Sequence, residues 1–207
     1  MNYLKIKVDL HIHSNNSPDS RLSIEEILDY YYRNGFKAIA ITDHETMSGV
    51  VKARNMCIEK GMEMLIIPGV EVETPHGEMV MLLPVEVNDV PREIMELMDF
   101  SKEMGGFIYV PHPFANTRNS LKEKVFEIKE IDAIEVLNGR ISWEWNEEAF
   151  NAASILGKPG IANSDAHSKL DLGVAYTIID VNEISIEGVF SAIRNNKIMK
   201  IIGKKVW

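Results

Sequence analysis

Apolar and polar residues alternate along Leu4-Lys5-Ile6-Lys7-Val8, the two-residue period of a strand. Continued through Ser14, that alternation predicts Asp9, His11 and His13 on one face and Val8, Leu10 and Ile12 on the other. Further apolar runs predict strands over 36–41, 64–72, 78–83, 107–110, 131–137, 158–162 and 175–181. Helical patterns fall between them. Ser23-Ile24-Glu25-Glu26 reads as a capping box opening a helix whose apolar face is Ile24, Ile27, Leu28 and Tyr31, with Gly35 past its end. Others run over about 46–60, from Pro91 to Gly105-Gly106, over a charged stretch at 119–130, from Ser142 to Gly157, and from Ser185 to Asn195. Strand followed by helix predicts an α/β fold with a parallel sheet or barrel. Polar clusters just past the strands favour a closed, TIM-like barrel with its site at the strand C-terminal ends. No linker or fixed-period repeat interrupts the pattern, so residues 1–207 are expected to form a single domain.

The polar clusters are the informative part. His11/His13, His44, Glu71, His112, Glu135 and Asp165/His167 each end or follow an apolar strand, and Asp19 joins from the first loop. Five of the six histidines occupy these positions, and none lies in a helical run. Two imidazoles about 7 Å apart on one strand face can converge on one ion. Such a pair alone would more often be structural, but the recurrence changes the balance. Nine nitrogen and oxygen donors exceed the four to six that one zinc or manganese ion takes, which implies two or three ions, with Glu71 able to bridge. No cysteine cluster suggests a structural zinc site, and no Gly-x-Ser-x-Gly elbow or Walker loop offers a competing chemistry. Ions held by His and carboxylate lower the pKa of water and clamp phosphoryl oxygens.

Composition narrows the setting. The chain is 45% hydrophobic and 26% charged, with no apolar run near the ~20 residues of a membrane span. A net charge of -9 argues against a broad basic surface for nucleic acid, while leaving room for a short oligonucleotide or a nucleotide at a cation-filled site. The lone Cys57 and the strand-like N-terminus fit a cytoplasmic protein. Lys197, Lys200, Lys204 and Lys205 form a modest basic tail, read as solvated.

The ordered motifs Asp9-Leu10-His11-Ile12-His13-Ser14, Ser17-Pro18-Asp19-Ser20, Thr42-Asp43-His44, Pro68-Gly69-Val70-Glu71, Pro111-His112-Pro113, Ile134-Glu135-Val136 and Asn163-Ser164-Asp165-Ala166-His167 resemble the PHP (polymerase and histidinol phosphatase) superfamily. The resemblance spans roughly residues 6–170. It implies a distorted seven-stranded (β/α)7 barrel, a site of two or three divalent ions (zinc, manganese or iron), and phosphoester hydrolysis. Carried over residue by residue, it implies His11, His13, Glu71 and Asp165 around one ion, with Glu71 bridging to a second held by His112 and the group at Glu135. Asp19, His44 and His167 would hold a third. Where relatives often carry His or Cys, this strand offers Glu135 or Asn138, so Glu135 either binds the second ion or stands behind a ligand. His11, His13, Glu71, Asp165 and His167 carry the catalytic role in this reading.

Asp9 and Asp43 flank the histidines and are candidates for orienting carboxylates. Arg118 and Arg140 lie in loops past His112 and Glu135, where each could fork onto a phosphate. His76 reads as an exposed turn residue. Trp143 and Trp145 read as partly buried helix aromatics, with a base-binding wall as the sharper option. The expected function is a metal-dependent phosphoesterase acting on a small phosphorylated substrate, a phosphomonoester or nucleotide. The alternatives are a non-catalytic metal-binding accessory module for a nucleotide or polymerase-like partner, and a C–N hydrolase, which lacks the bridging Lys that chemistry usually needs. Oligomeric state is left open.

Overall fold

The computed structural model describes residues 3–203. Its strands are β1 (Leu4–Asp9), β2 (Ala38–Ile41), β3 (Leu65–Thr74), β4 (Gly77–Leu82), β5 (Phe107–Val110), β6 (Ala133–Asn138), β7 (Gly160–Asn163), β8 (Ala175–Val181) and β9 (Ile198–Gly203). They form one sheet in the order β7-β6-β5-β4-β3-β2-β1-β8-β9. The expected seven-stranded barrel is therefore corrected to nine strands. The surplus includes β9, read in the sequence only as a basic tail, and β8, which joins the sheet as an antiparallel neighbour of β1. Pairing is parallel for β1–β2, β2–β3, β5–β6 and β6–β7, and antiparallel where β4 joins β3 to β5. Lys204 and Lys205 lie outside the described residues.

Two apolar layers follow from the two-residue period. Val8, Leu10, Ala38, Ala40, Ile67, Val80, Leu82, Phe107, Tyr109 and Ile161 fill the inside of the curved sheet, closed below by Val189, Phe190 and Ile193. Ile39, Ile41, Ile66, Met79, Met81, Ile108, Val110 and Ile134 face outward to the helices. The helices are α1 (Ile24–Arg33), α2 (Ser48–Glu59), α3 (Ile94–Glu103), α4 (Trp143–Leu156) and α5 (Ile186–Arg194). The capping box at Ser23 and Glu26 forms as expected, and Gly35 takes positive φ past the helix end. The stretch expected as a helix over 119–130 is a short 3-10 turn over Lys122–Glu127, and α3 starts three residues after Pro91. Cys57 is buried on α2. Among the described residues no helix is long and apolar enough to cross a membrane.

The sheet is nearly closed. At the top, Ile12 bridges Ala166 in parallel, with Asp165 N–H donating to His11 O and His13 N–H to Ala166 O. Lower down, the buried Thr177 on β8 substitutes for a ladder. Its hydroxyl accepts from Ala162 N–H at 2.8 Å and donates to Ala162 O at 2.9 Å. Thr177→Val keeps the shape but leaves both Ala162 groups unpaired, so urea unfolding should show a loss of about 1–3 kcal/mol. Thr177→Ser should recover most of it.

Candidate metal centre

Strand β1 breaks where the site begins. Asp9 points outward, pairing in register with the outward Ile39, and accepts from Tyr31 Oη. Leu10 points inward, and His11 turns inward directly after it. Asp9 thus does not share a face with His11 and His13, as strict alternation predicts. The break frees the Leu10 backbone, which is recaptured by side chains: Asn163 Oδ1 accepts from its N–H and Tyr109 Oη donates to its carbonyl. Asp9 holds backbone rather than an imidazole, accepting from Ser164 N–H at 3.1 Å. Burial pushes its carboxyl up to about 7, against the hydrogen bonds it accepts.

Eight of the nine expected ligands then converge. One oxygen or nitrogen from each member lies within 4.8 Å of the others in the groups His13/Asp19/His44/His167, His11/His13/Asp165, His11/Glu71/His112 and His44/Glu71/Glu78. Shared members link these groups into one cluster. His112 and Asp165 both adopt positive φ, 26° and 53°, a conformation that costs energy outside glycine and recurs at functional sites.

Glu135 is the exception. It is fully buried and belongs to none of those groups. Its Oε1 lies 3.1 Å from His11 Nδ1 and accepts from Asn163 Nδ2, while Oε2 accepts from His112 N–H and Asn138 Nδ2, both at 2.9 Å. Four partners occupy its lone pairs. Its geometry is that of the carboxylate that orients a ligating histidine and fixes its tautomer. Glu78, on β4, is the residue that sequence reasoning passed over. Val80 and Leu82 point inward, so the two-residue period sends Glu78 the same way one step from the turn. That signal was present in the pattern.

Two other histidines are also held from behind. His13 Nδ1 lies 3.2 Å from Ser17 Oγ, and Ser17 in turn bonds Asp43, which also accepts from Ser14 N–H and Oγ. His112 Nδ1 lies 3.4 Å from Ser120 Oγ. With Nδ1 protonated, His13 presents a bare Nε2 lone pair inward, while His112 Nε2 lies 3.1 Å from Glu71 Oε1. His11 Nε2, His13 Nε2 and Glu78 Oε2 are buried without a hydrogen-bond partner among the described residues. Yet His13 Nε2 lies 3.1 Å from Glu71 Oε2 and 3.5 Å from Asp165 Oδ1, and His11 Nε2 3.3 and 3.6 Å from the same atoms. Lone pairs facing carboxylates at this range repel unless positive charge stands between them.

The two rings meet this in different ways, one by staying neutral and one by taking up a proton. Burial lowers His13 to about 4, so its ring is neutral. Burial also opposes charge on His11, but the Glu71, Glu135 and Asp165 carboxylates outweigh it and draw a proton there. Burial and the nearby Glu71 charge push Glu78 up to about 7. Despite burial, the positive charge drawn onto His11 holds Asp165 below its usual range. This donor set calls for cations, and its oxygen and imidazole atoms suit zinc, manganese or iron.

Above the cluster lies a cavity of about 170 Å³ lined by Asp19, Glu71, Glu78, Asp165, three histidines, Thr117, Arg118 and Asn119. Arg118 Nη2 lies 3.6 Å from Asp165 Oδ2, and Arg140 Nη1 3.8 Å from Asp165 Oδ1 and 2.5 Å from His167 Nδ1. Trp143 and Trp145 do not line it, and His76 is exposed on the β3–β4 turn.

Comparison with known proteins places this geometry. The PHP domain family matches residues 9–155, and a PHP-associated family matches 143–198. The chain belongs to the PHP domain family. An uncharacterised protein of Methanocaldococcus jannaschii is 33% identical over 145 residues, 64% of this chain and 82% of that protein. Among solved structures, a two-domain protein from Bacteroides vulgatus, described as containing a PHP-like metal-dependent phosphoesterase, superposes with TM-score 0.77 at 20% identity over 95% of this chain. A lesion-specific endonuclease from Pyrococcus furiosus does so with TM-score 0.72 at 17% identity over 97%. This PHP chain spans 64% and 59% of those two proteins, which share its fold.

Metal analysis of purified variants tests the division between the two glutamates. Glu78→Gln should lose about one equivalent of bound ion. Glu135→Gln should keep the stoichiometry while weakening affinity ~10–100-fold. Equal loss of ions from both variants would return Glu135 to the ligand set.

Proposed function

We propose that this PHP protein is a metal-dependent phosphoesterase that hydrolyses a small phosphorylated substrate. The observation that carries the reading is the trio of orphaned buried atoms, His11 Nε2, His13 Nε2 and Glu78 Oε2, beneath a polar cavity flanked by Arg118. In this reading His11, His13, Glu71 and Asp165 surround one ion, Glu71, Glu78 and His112 a second, and Asp19, His44 and His167 a third. Divalent ions so held would bring water toward ionisation at neutral pH and offset charge on a phosphoryl group. Glu135, Ser17 and Ser120 keep His11, His13 and His112 in the tautomer that presents Nε2. Arg118 and Arg140, on either side of Asp165, take the outer phosphoryl oxygens, for which the planar guanidinium is shaped.

The cavity sets the scale of the substrate. At about 170 Å³ it is below the usual range for drug-sized ligands and holds little more than a phosphoryl group. No side-chain ring other than imidazole lines it, so nothing there stacks a base. A terminal phosphate on a small molecule or nucleotide fits, with the rest of the substrate outside the mouth. A single unit over residues 4–203 is sufficient for this activity in our reading, since the curved sheet and its loops carry every group named.

Protein loaded with manganese or zinc should hydrolyse an aryl phosphate, and a chelator should abolish turnover. Asp165→Asn should lower kcat at least ~10²-fold, and Arg140→Ala should raise KM about tenfold, the scale of one charge-assisted contact. No turnover of any phosphomonoester or diester by fully loaded protein would sink the enzyme in favour of an accessory binding module.

A further inference from the structure

Arg118 sits on the loop between His112 and the 3-10 turn, and this loop has little regular structure of its own. What fixes it is the β3–β4 hairpin. Glu78 N–H donates to Asn119 O at 2.7 Å, and Asn119 Nδ2 donates to Glu73 Oε1 at 3.2 Å. Glu73 N–H is held in turn by Glu45 Oε1 at 2.6 Å. From the other side, Ser120 Oγ donates to His112 O at 2.7 Å, and Lys122 N–H donates to Pro113 O at 2.7 Å. Residues 119–122 are thereby pinned between the hairpin and the His112 turn, one residue beyond Arg118.

Gly77 lets the hairpin lie flat on this loop. Its φ is 143°, which side chains other than glycine rarely adopt. An added Cβ would stand 2.6 Å from Leu121 N and 2.8 Å from the Ser120 carbonyl carbon. Ordinary contact between such atoms needs about 3.5 Å, so a methyl here displaces the loop by most of an ångström. Both opposing atoms are backbone, and neither can swing aside as a side-chain tip can.

We propose that Gly77 and Asn119 are positioning residues: the β3–β4 hairpin clasps the Arg118 loop and holds the guanidinium beside Asp165, at the distance a phosphoryl group requires. The clasp reaches the site through residues 118–121 and acts first on phosphate capture; Ser120 in that stretch is tied to the His112 carbonyl and Glu78 continues the hairpin, so its effect on the candidate ion ligands is smaller and is read separately as metal content. It rests on Arg118 being a phosphoryl contact. An ångström-scale shift of a positioned group is enough to cost one to two orders of magnitude.

The test uses the full-length, metal-loaded protein with two readouts: steady-state kinetics on an aryl phosphate, and the affinity for inorganic phosphate by calorimetry. Gly77→Ala should raise both KM and the phosphate Kd about tenfold, while kcat and bound metal, reached only through Ser120 and Glu78, fall by less. In an Arg118→Ala background the same substitution should add nothing further, since the two act through one contact. Amide exchange across 115–121 should accelerate. Asn119→Ala, which only unlatches a side chain, should move the same quantities in the same direction by less, and stands in if Gly77→Ala does not fold. Phosphate affinity unchanged in the folded variants, or full additivity with Arg118→Ala, overturns the clasp. If the wild type binds phosphate but turns nothing over, the phosphoesterase reading fails and the clasp is judged on Kd and exchange. A wild type that binds no phosphate overturns both.

Discussion

Packing imidazole lone pairs against carboxylates at the mouth of a closed sheet is the constraint on which this architecture depends. Burial alone drives His13 toward neutrality and Glu78 toward protonation, each shedding charge in a low-dielectric setting. The surroundings resist that drift, since Glu71 and Asp165 stay ionised against the histidines that face them. Inward-facing Nε2 atoms with no donor to meet are unfavourable as a purely structural core. The same atoms become favourable once cations sit among them. Ion binding at these atoms would relieve that local cost, which is the physical content of linkage between metal and fold.

The scaffold around the cluster meets that demand with few specialised elements. The interior below is lined mainly by apolar side chains, with Leu10, Tyr109 and Ile161 forming its floor. The break in β1 after Asp9 lets two consecutive residues, Leu10 and His11, both face inward, one to the floor and one to the site. A regular strand cannot do this. Tyr109 and Asn163 make it tolerable by taking over the hydrogen bonds the ladder gives up. Asn163 also donates to Glu135, so the group that repairs the strand orients the carboxylate behind His11.

That break marks the limit of what the chain's pattern discloses. The strands, the capping box, the barrel-like closure and the convergence of His11, His13, Asp19, His44, Glu71, His112, Asp165 and His167 are legible, because each rests on a local period or on a residue type placed at a strand end. The strand count is not, since β9 pairs only through contacts distant in sequence, and Ile198–Gly203 reads as a tail beside its lysines. Asp9 and His11 are two apart, yet they part company because the backbone between them is irregular, which alternation cannot register. Glu135 and Glu78 are the instructive pair. Both are inward glutamates on strands, Glu135 within β6 and Glu78 near the start of β4. They differ only in whether donors such as Asn138, Asn163 and the His112 N–H already occupy their oxygens. Saturation of a carboxylate is a property of three-dimensional neighbours, and no spacing rule contains it.

The β3–β4 hairpin joins the two halves of the site's chemistry in one element. The side chain of Glu78 faces the ion cluster, while its backbone N–H holds Asn119 beside Arg118. A strand separates these roles by geometry, since side chain and backbone donor point in nearly perpendicular directions. A substitution of the Glu78 side chain therefore alters the candidate ion ligands while the backbone N–H that latches the Arg118 loop remains, whereas a change at Gly77 acts first on the loop. On the proposed reading, ion binding and anion capture can thus be tuned partly apart on a shared support. A compact barrel with a cavity of about 170 Å³ has room for little else with which to tune its substrate.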